Sequence, residues 1–295
     1  MKQLRILWQF SRPHTIIGSL CSITALYIMA CGGRQTGVHL FLYAGTLVAA
    51  LACNLFIVGI NQLADVELDK INKPWLPLAA GTLSRKNALL IVYIALVISL
   101  ITAFFCGWVL LLVIAVILLI GTAYSLPPFK LKQHHLPAAL AITLVRGTIV
   151  NLGIFMHYTY AISHVFYLPG FIWCLTFFIM AFSVAIAWFK DLPDTEGDDR
   201  FHIKTLALLY SKRNALLGGT ALVSAAYVYV LLWSFYRAEK QPGFLLTSHA
   251  VLFAGFLLNF FSVKLKDKES VRHFYLRFWI FFFAEYILFA VWSVI

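Results

Sequence analysis

Long apolar runs, separated by short polar segments, follow one another along almost the whole chain. Each run is about 18 to 25 residues long, which is the length an α-helix needs to cross the hydrocarbon core of a bilayer. The runs are continuously apolar rather than alternating, which argues against a β-barrel. We predict one all-α membrane domain over residues 1–295, with nine spans at about residues 15–32, 40–62, 88–106, 108–124, 136–156, 167–189, 215–235, 246–263 and 274–294.

Proline and glycine separate the runs, as at Pro127-Pro128 and Pro169-Gly170. The tightest connection is predicted at Gly107, where two spans must be joined by one short turn. The composition agrees with a membrane protein, because 62% of the 295 residues are hydrophobic, mean hydropathy is +0.87 and only 12% are charged. The start, MKQLRILWQFSRPHT, has neither a cleavable signal nor a Ser/Arg-rich transit extension, which favours a bacterial membrane.

Basic residues are distributed unevenly between the two sets of alternating loops. Nineteen of the 23 lie at the N-terminus and in the loops on its side, whereas the opposite side has Arg34, Arg237 and Lys240, and Arg146 lies inside a span. Because Lys and Arg favour cytoplasmic loops, the N-terminus and both acidic loops are predicted to face the cytoplasm. The net charge of +11 is then explained by topology and anionic headgroups rather than by nucleic acid.

Acidic residues are clustered in two segments of this predicted cytoplasmic side. The pair Asp65 and Asp69 recurs 129 residues later as Asp194 and Asp198 with the same spacing, and a lysine follows each pair. An internal duplication explains this repetition, with the two copies facing each other across a central cavity. Residues three or four apart share a helix face; the two sets at that spacing are Asn61, Asp65 and Asp69, and Asp191, Asp194 and Asp198.

Facing carboxylates repel each other unless a cation lies between them. Oxygen ligands without nearby His or Cys suit Mg²⁺, whose coordination substrate phosphates often complete. Glu67 points to another face, so we do not count it as a ligand. One alternative is that these acids are solvated charges at helix ends. Another is a cation-coupled transporter, because intramembrane acids mark ion pathways, although the flanking Lys and Arg oppose cation passage.

Several sequence stretches resemble a known family of membrane enzymes. NQLADVELDKINKPWLPLAAG (residues 61–81) and FKDLPDTEGDDRFHIKTLA (residues 189–207) resemble the two aspartate-rich motifs of the UbiA-type intramembrane prenyltransferases. FSRPHTIIGS, GTAYSLPPFKLK and VRGTIVNLG support the resemblance, which extends from the N-terminus to about residue 210. The continuation NKPWLPLAAG is typical of the branch of this family that uses homogentisate.

The resemblance implies a nine-helix bundle around a cavity, capped by cytoplasmic loops, in a cyanobacterial plasma or thylakoid membrane. The implied reaction is Mg²⁺-dependent transfer of a prenyl group, phytyl in this branch, from its diphosphate to homogentisate. Loss of CO₂ then gives a methyl-phytyl-benzoquinol precursor of tocopherol. Besides these two substrates, membrane lipid is the only implied partner. Neither a solanesyl donor nor another aromatic acceptor is excluded, and the oligomeric state stays open.

The resemblance also assigns roles to residues. One Mg²⁺ would be held by Asn61, Asp65 and Asp69, and a second by Asp191, Asp194 and Asp198. The side chains that would bind the diphosphate are Arg12, Lys73, Lys130, Lys132 and Lys204, and spacing does not decide between Lys130 and Lys132. Metal ions and lysines would neutralise the departing diphosphate, so that the allylic C–O bond ionises. Tyr124 is the candidate wall for the resulting cation.

Four polar residues of the apolar segments are weighed individually. A lone charge in a span is costly and usually functional, so Arg146 is predicted to face the cavity and bind the acceptor carboxylate or the diphosphate. Asn151 is predicted either to act in the site or to make a helix–helix hydrogen bond. His14 is a candidate for orienting the acceptor or for a structural role. Glu285 is predicted to pair with a basic partner that the sequence does not identify.

Overall fold

The computed structural model describes residues 2–32, 39–238 and 240–295. Within these ranges the chain has nine long helices, four short α-helices and a 3₁₀ helix at Leu131–Gln133. Arg34 lies outside the described residues. The long helices are α2 (Pro13–Cys31), α3 (Leu40–Ala64), α5 (Arg85–Cys106), α6 (Trp108–Ser125), α7 (His135–Ser163), α8 (Gly170–Phe189), α11 (Lys212–Arg237), α12 (Pro242–Phe261) and α13 (Lys268–Val294). The short helices are α1 (Lys2–Phe10), α4 (Val66–Asn72), α9 (Thr195–Arg200) and α10 (Leu206–Leu209).

All nine long helices of the described ranges are long and apolar enough to cross a membrane, which confirms the predicted all-α architecture. Gly107 alone joins α5 to α6, and its φ of +123° is one that L side chains rarely adopt. Two helices differ most from the predicted limits. Helix α13 starts at Lys268 rather than near residue 274, and α7 continues to Ser163. Their extra turns are more polar than the apolar runs that set the predicted limits.

The middle of α7, Thr143–Ile154, is wound as a π-helix. Such turns are often found at functional sites. This stretch packs tightly on α8, because a Cβ atom on Gly147 would lie 2.9 Å from the Cα of Met180. It also contains Asn151, whose Oδ1 accepts a 2.7 Å hydrogen bond from the hydroxyl of Tyr286 in α13. The predicted helix–helix hydrogen bond of Asn151 is therefore confirmed.

Glu285 has a buried partner in the neighbouring helix. Its Oε2 lies 3.0 Å from Nε2 of His249 in α12, and neither side chain is exposed. This contact confirms that Glu285 pairs with a basic residue. Because neither residue lines the central cavity described below, we interpret the pair as a tie between α12 and α13.

We expect the substitution His249→Ala to destabilise the protein by about 2 kcal/mol, because it leaves a buried carboxyl group without its hydrogen-bond partner. The measurement is thermal unfolding in detergent of purified wild type, His249→Ala and the control Thr247→Ala, whose exposed hydroxyl bonds only to its own helix. An unchanged unfolding temperature for His249→Ala would show that the pair does not stabilise the bundle.

The charged loops meet at one end of the bundle. The amide of His135 donates a 2.9 Å hydrogen bond to the carbonyl of Lys204, which joins the loop after α6 to the loop after α9. Lys268 at the start of α13 lies 3.7 Å from Glu196 in α9. These contacts place the second acidic segment together with the loops between α6 and α7 and between α12 and α13, over one end of the helices.

Candidate active site

A cavity of about 790 Å³ lies inside the bundle. Six of the nine long helices line it: α2, α3, α6, α7, α8 and α13. At the end of the bundle where the loops meet, the wall of the cavity is charged and carries residues of both acidic segments. We call this part of the cavity the acidic end. Deeper in the bundle the wall is apolar, with Ile23, Ala50, Cys53, Ile114, Ile117 and Ile154. The cavity therefore combines a polar end for a charged group with an apolar interior for a hydrocarbon chain.

The first acidic segment reaches the cavity through a break in the helix. Helix α3 ends at Ala64, and Asp65 has φ −114° and ψ 19° before α4 begins at Val66. The premise of one continuous helix through Asn61, Asp65 and Asp69 is therefore wrong, because the chain turns at Asp65. All three side chains nevertheless line the cavity. Glu67 points away from it, with a side chain 68% exposed and paired with Lys70 at 2.8 Å.

The second acidic segment begins where α8 ends at Phe189. Asp191, Asp194 and Asp198 all line the same cavity. The two segments pack directly on each other through Asn72, rather than standing apart across the cavity. Its amide donates to Oδ1 of Asp198 at 3.2 Å, and its Oδ1 accepts from the backbone N–H of Gly197 at 2.9 Å. Sequence reasoning missed Asn72, because its partners lie more than 120 residues away.

Basic side chains compensate the carboxylates pairwise. Lys73 forms an ion pair with Asp194 and lies 3.9 Å from Asp69, so it links the two segments. The other close pairs are Lys132 with Asp65 at 2.6 Å, Lys190 with Asp191 at 3.2 Å, and Arg12 with Asp69 at 3.8 Å. These cations are placed to meet an anion that enters between the carboxylates.

The electrostatics of the acidic end disfavour further negative charge on the protein. Burial, reinforced by the neighbouring carboxylates Asp191 and Asp194, raises the pKa of Asp198 to about 7. Burial also raises the pKa of Asp69 and of Asp191, although Lys73 and Lys190 oppose these shifts. Burial lowers the pKa of Lys132 despite its carboxylate partner. A bound cation would relieve the repulsion that raises the carboxylate pKa values.

The donor set fits a hard divalent cation. Five carboxylates and the Asn61 amide line one end of the cavity, and the buried Oδ2 of Asp69 accepts no hydrogen bond. Within residues 2–32, 39–238 and 240–295, no three His, Cys, Asp or Glu side chains lie close enough together to hold an ion by themselves. Mg²⁺ is usually held by one or two carboxylates, with substrate phosphates completing its coordination shell.

The candidate diphosphate ligands separate into two groups. Arg12, Lys73 and Lys132 line the cavity, whereas Lys130 and Lys204 are not part of its described lining. Of the two lysines between which spacing did not decide, Lys132 lines the cavity, which favours it as the diphosphate ligand. Sequence reasoning missed Lys190, which lines the cavity directly before Asp191. The signal for it was its place at the end of an apolar span beside an acidic motif.

Tyr124 lines the cavity, and its side chain already contacts a cation of the protein, Lys190. Its hydroxyl accepts a 3.1 Å hydrogen bond from Lys190, whose ammonium lies 5.8 Å from the ring centroid. Arg146 also lines the cavity, as predicted from its place in a span. His14 lies nearby and packs edge-on against Trp279, with ring centroids 5.0 Å apart.

Comparison with known proteins agrees with this geometry. The model of the UbiA prenyltransferase family matches residues 19–284. The chain belongs to the UbiA prenyltransferase family. It is 42% identical over 299 residues to homogentisate phytyltransferase of Synechocystis sp., covering 99% of this chain and 97% of that one. It is 36% identical to chloroplastic homogentisate solanesyltransferase of Arabidopsis thaliana, covering 96% and 75% of the two chains.

Solved structures of UbiA homologues share the fold. The apo structure of a homologue from Aeropyrum pernix K1 aligns with a TM-score of 0.70 at 18% identity, covering 91% of this chain and 96% of that one. A homologue from Archaeoglobus fulgidus, solved bound to GPP and Mg²⁺, aligns with a TM-score of 0.65 at 17% identity, covering 96% and 99%. The family assignment confirms the resemblance and leaves the transporter alternative without support.

Proposed function

We propose that this UbiA-family protein transfers a phytyl group from phytyl diphosphate to the aromatic ring of homogentisate, with loss of CO₂. The observation that carries the proposal is the continuity of the cavity, because one space joins a cluster of carboxylates and lysines to an apolar interior. A prenyl diphosphate has the same division into a charged head and a hydrocarbon tail. The 42% identity to a homogentisate phytyltransferase supports the choice of acceptor and donor.

The acidic end would hold the diphosphate together with Mg²⁺. One ion would lie on Asn61, Asp65 and Asp69, and a second on Asp191, Asp194 and Asp198. When bound, the metal supplies Lewis-acid stabilisation of the charge on the departing diphosphate. Two ions, rather than one, are inferred from the presence of two acidic segments.

The protein's own cations would assist the leaving group. Lys73, Lys132 and Arg12 already line the acidic end and would turn from the carboxylates to phosphate oxygens when the donor binds. Lys190 lies between Asp191 and Tyr124 and would do the same. The allylic C–O bond breaks as negative charge moves onto the diphosphate, and aromatic faces stabilise the carbocation. A ring carbon of homogentisate then forms the new C–C bond and loses its proton. The acetate group loses CO₂, and its CH₂ carbon takes up a proton to become the methyl group.

We further propose that the chain acts as one domain with its loop end in the cytoplasm. The cavity draws on helices from α2 to α13, so separate halves would not complete it. The excess of Lys and Arg at the loop end supports that orientation. A water-soluble aromatic acid would then enter from the cytoplasm, while the isoprenoid tail stays in the apolar interior. A cyanobacterial plasma or thylakoid membrane is the proposed location.

The test is an assay of membranes that contain the protein, with labelled homogentisate and Mg²⁺, with and without EDTA. Phytyl, geranylgeranyl and solanesyl diphosphates are offered in parallel. We expect EDTA-sensitive product from phytyl diphosphate and little from solanesyl diphosphate. A preference for solanesyl diphosphate would keep the mechanism and change the donor, as the 36% identity to a solanesyltransferase allows. No product from any donor would overturn the proposed function.

A further inference from the structure

The cavity has a second region, which we call the aromatic lobe, between α2, α7 and α13. Its residues are His14, Arg146, Tyr275, Trp279, Phe282 and Tyr286. The lobe is walled by rings and contains one permanent cation, whereas the acidic end carries all five carboxylates of the two aspartate sets. The two regions of one cavity therefore differ in their own charge: carboxylates with paired cations line one, and an arginine among aromatic rings lines the other.

Arg146 has no anionic partner in the described part of the chain. No Asp or Glu oxygen there lies within 4.0 Å of it, and its neighbours are aromatic faces. Its guanidinium carbon lies 4.6 Å from the ring centroid of Trp279 and 5.5 Å from that of Phe282. Ring faces stabilise the cation but do not accept its directional N–H bonds. A charge inside a membrane span is costly unless it serves a ligand or a partner.

Trp279 supplies a second, independent unmet donor. The residue is 2% exposed, and its indole N–H makes no hydrogen bond of normal geometry within the described residues, although the Tyr275 hydroxyl interacts with it. Buried N–H groups without partners are uncommon, and each calls for an explanation. The lobe thus holds two donors, one charged and one neutral, and neither makes a hydrogen bond of normal geometry to a described residue.

The walls of the lobe are aromatic rings that pack edge to face on one another. Trp279 contacts His14 edge-on at 5.0 Å between ring centroids, and the Tyr275 and Trp279 rings are 6.3 Å apart at 81°. Helix α2 approaches α13 closely at Gly18, where an added Cβ would lie 3.4 Å from the Trp279 ring. An aromatic ligand in such surroundings gains edge-to-face contacts with its neighbours.

We propose that the aromatic lobe binds the acceptor, with the acceptor's carboxylate on Arg146 and the Trp279 N–H and its ring among the aromatic side chains. This inference rests on the proposed function, because it assumes an aryl acid as the second substrate. The diphosphate belongs to the acidic end, where metal and lysines neutralise it. A singly charged carboxylate needs no metal and is matched in charge and fork geometry by one guanidinium. Arg146 then determines the specificity for an acid over its neutral analogues.

The experiment measures binding of homogentisate and of its methyl ester to purified full-length protein by thermal shift. Inorganic diphosphate and Mg²⁺ are present, so that the acidic end is already filled with anion. We expect wild type to bind the acid at least about tenfold more tightly than the ester, since a charge-assisted hydrogen-bonded pair contributes a factor of this size or more. In Arg146→Gln the two ligands should bind within about twofold of each other, while the shift caused by diphosphate stays unchanged.

Three further variants keep the test decisive. Trp279→Phe removes only the N–H and should lower the preference for the acid several-fold, so it tests the site if Arg146→Gln does not fold. Arg146→Lys keeps the positive charge but lacks the paired N–H donors of the guanidinium, so it should retain part of the preference for the acid over the ester. Arg213→Gln removes an exposed arginine outside the cavity and should behave as wild type.

The inference is overturned if Arg146→Gln keeps the wild-type preference for the acid, or if it loses diphosphate binding instead of acid binding. It is also overturned if wild type does not distinguish acid from ester. The proposed function fails separately. A wild type that binds homogentisate through Arg146 but transfers no prenyl group contradicts the function and leaves the binding site in place.

Discussion

Replacing Asp65 or Asp194 with alanine is expected to lower the rate of prenyl transfer by about 1000-fold or more, while the protein stays folded and in the membrane. Both carboxylates line the acidic end, one from each segment. Each is also the ion-pair partner of a lysine, Lys132 for Asp65 and Lys73 for Asp194. Losing one removes a metal ligand, and metal stabilisation of the leaving group amounts to several kcal/mol. About 4 kcal/mol corresponds to that loss of rate.

The matched control is Glu67→Ala. Glu67 lies two residues from Asp65 but points to solvent and pairs only with Lys70, so its loss should leave turnover within about twofold of wild type. Asp194→Asn separates charge from shape, because it keeps the side-chain volume and loses the charge. The readouts are the initial rate with homogentisate and phytyl diphosphate, the yield of membrane-inserted protein and its unfolding temperature. Near-normal turnover in either alanine variant would remove the two-metal mechanism.

The transmembrane architecture could be predicted from sequence because a single physical requirement imposes it. Every run has to match the thickness of a bilayer, so the runs differ little in length and their number can be counted. The tight turn at Gly107 could also be predicted, since two spans without a loop require a residue that tolerates positive φ. The π-helical winding of residues 143–154 could not be predicted, because it depends on how α7 packs against its neighbours and leaves no signal in the composition.

Residues of the acidic end could be predicted where a local sequence pattern determines their position. They could not be predicted where their position depends on a contact with a distant part of the chain. The repeated spacing located the carboxylates even though the helix breaks at Asp65, since each acidic segment follows the end of an apolar span. It failed for Lys204, the lysine that follows the second aspartate pair, because its segment pairs with the loop after α6 and leaves the side chain exposed. His249, the partner of Glu285, is 36 residues away in another helix. Residue spacing along one helix does not predict contacts between different helices.

The substitution Gly197→Ala is expected to lower transfer about 100-fold through the contact between the two acidic segments. A Cβ atom on Gly197 would lie 2.5 Å from Oδ1 of Asn72, which accepts a hydrogen bond from the Gly197 N–H. Asn72 would have to leave, and its 3.2 Å bond to Asp198 would be lost with it. Helices α4 and α9 would then move apart and carry their carboxylates with them. A displacement of about 1 Å in a catalytic constellation costs about 100-fold.

A double variant of Gly197 and Asn72 tests whether the clash with Asn72 causes the loss of activity. Asn72→Ala alone loses both hydrogen bonds without a clash, and we expect about a tenfold loss of rate. Gly197→Ala combined with Asn72→Ala should then resemble Asn72→Ala rather than the product of the two effects, because the clashing atom is gone. Gly218→Ala is the matched control, since its added Cβ would meet only the Trp188 ring at an ordinary 3.5 Å. Independent, multiplicative effects of the two substitutions would show that Asn72 does not clamp the segments together. If the effects of the two substitutions on the rate do not multiply, Asn72 and Gly197 together hold the two aspartate sets at a fixed distance.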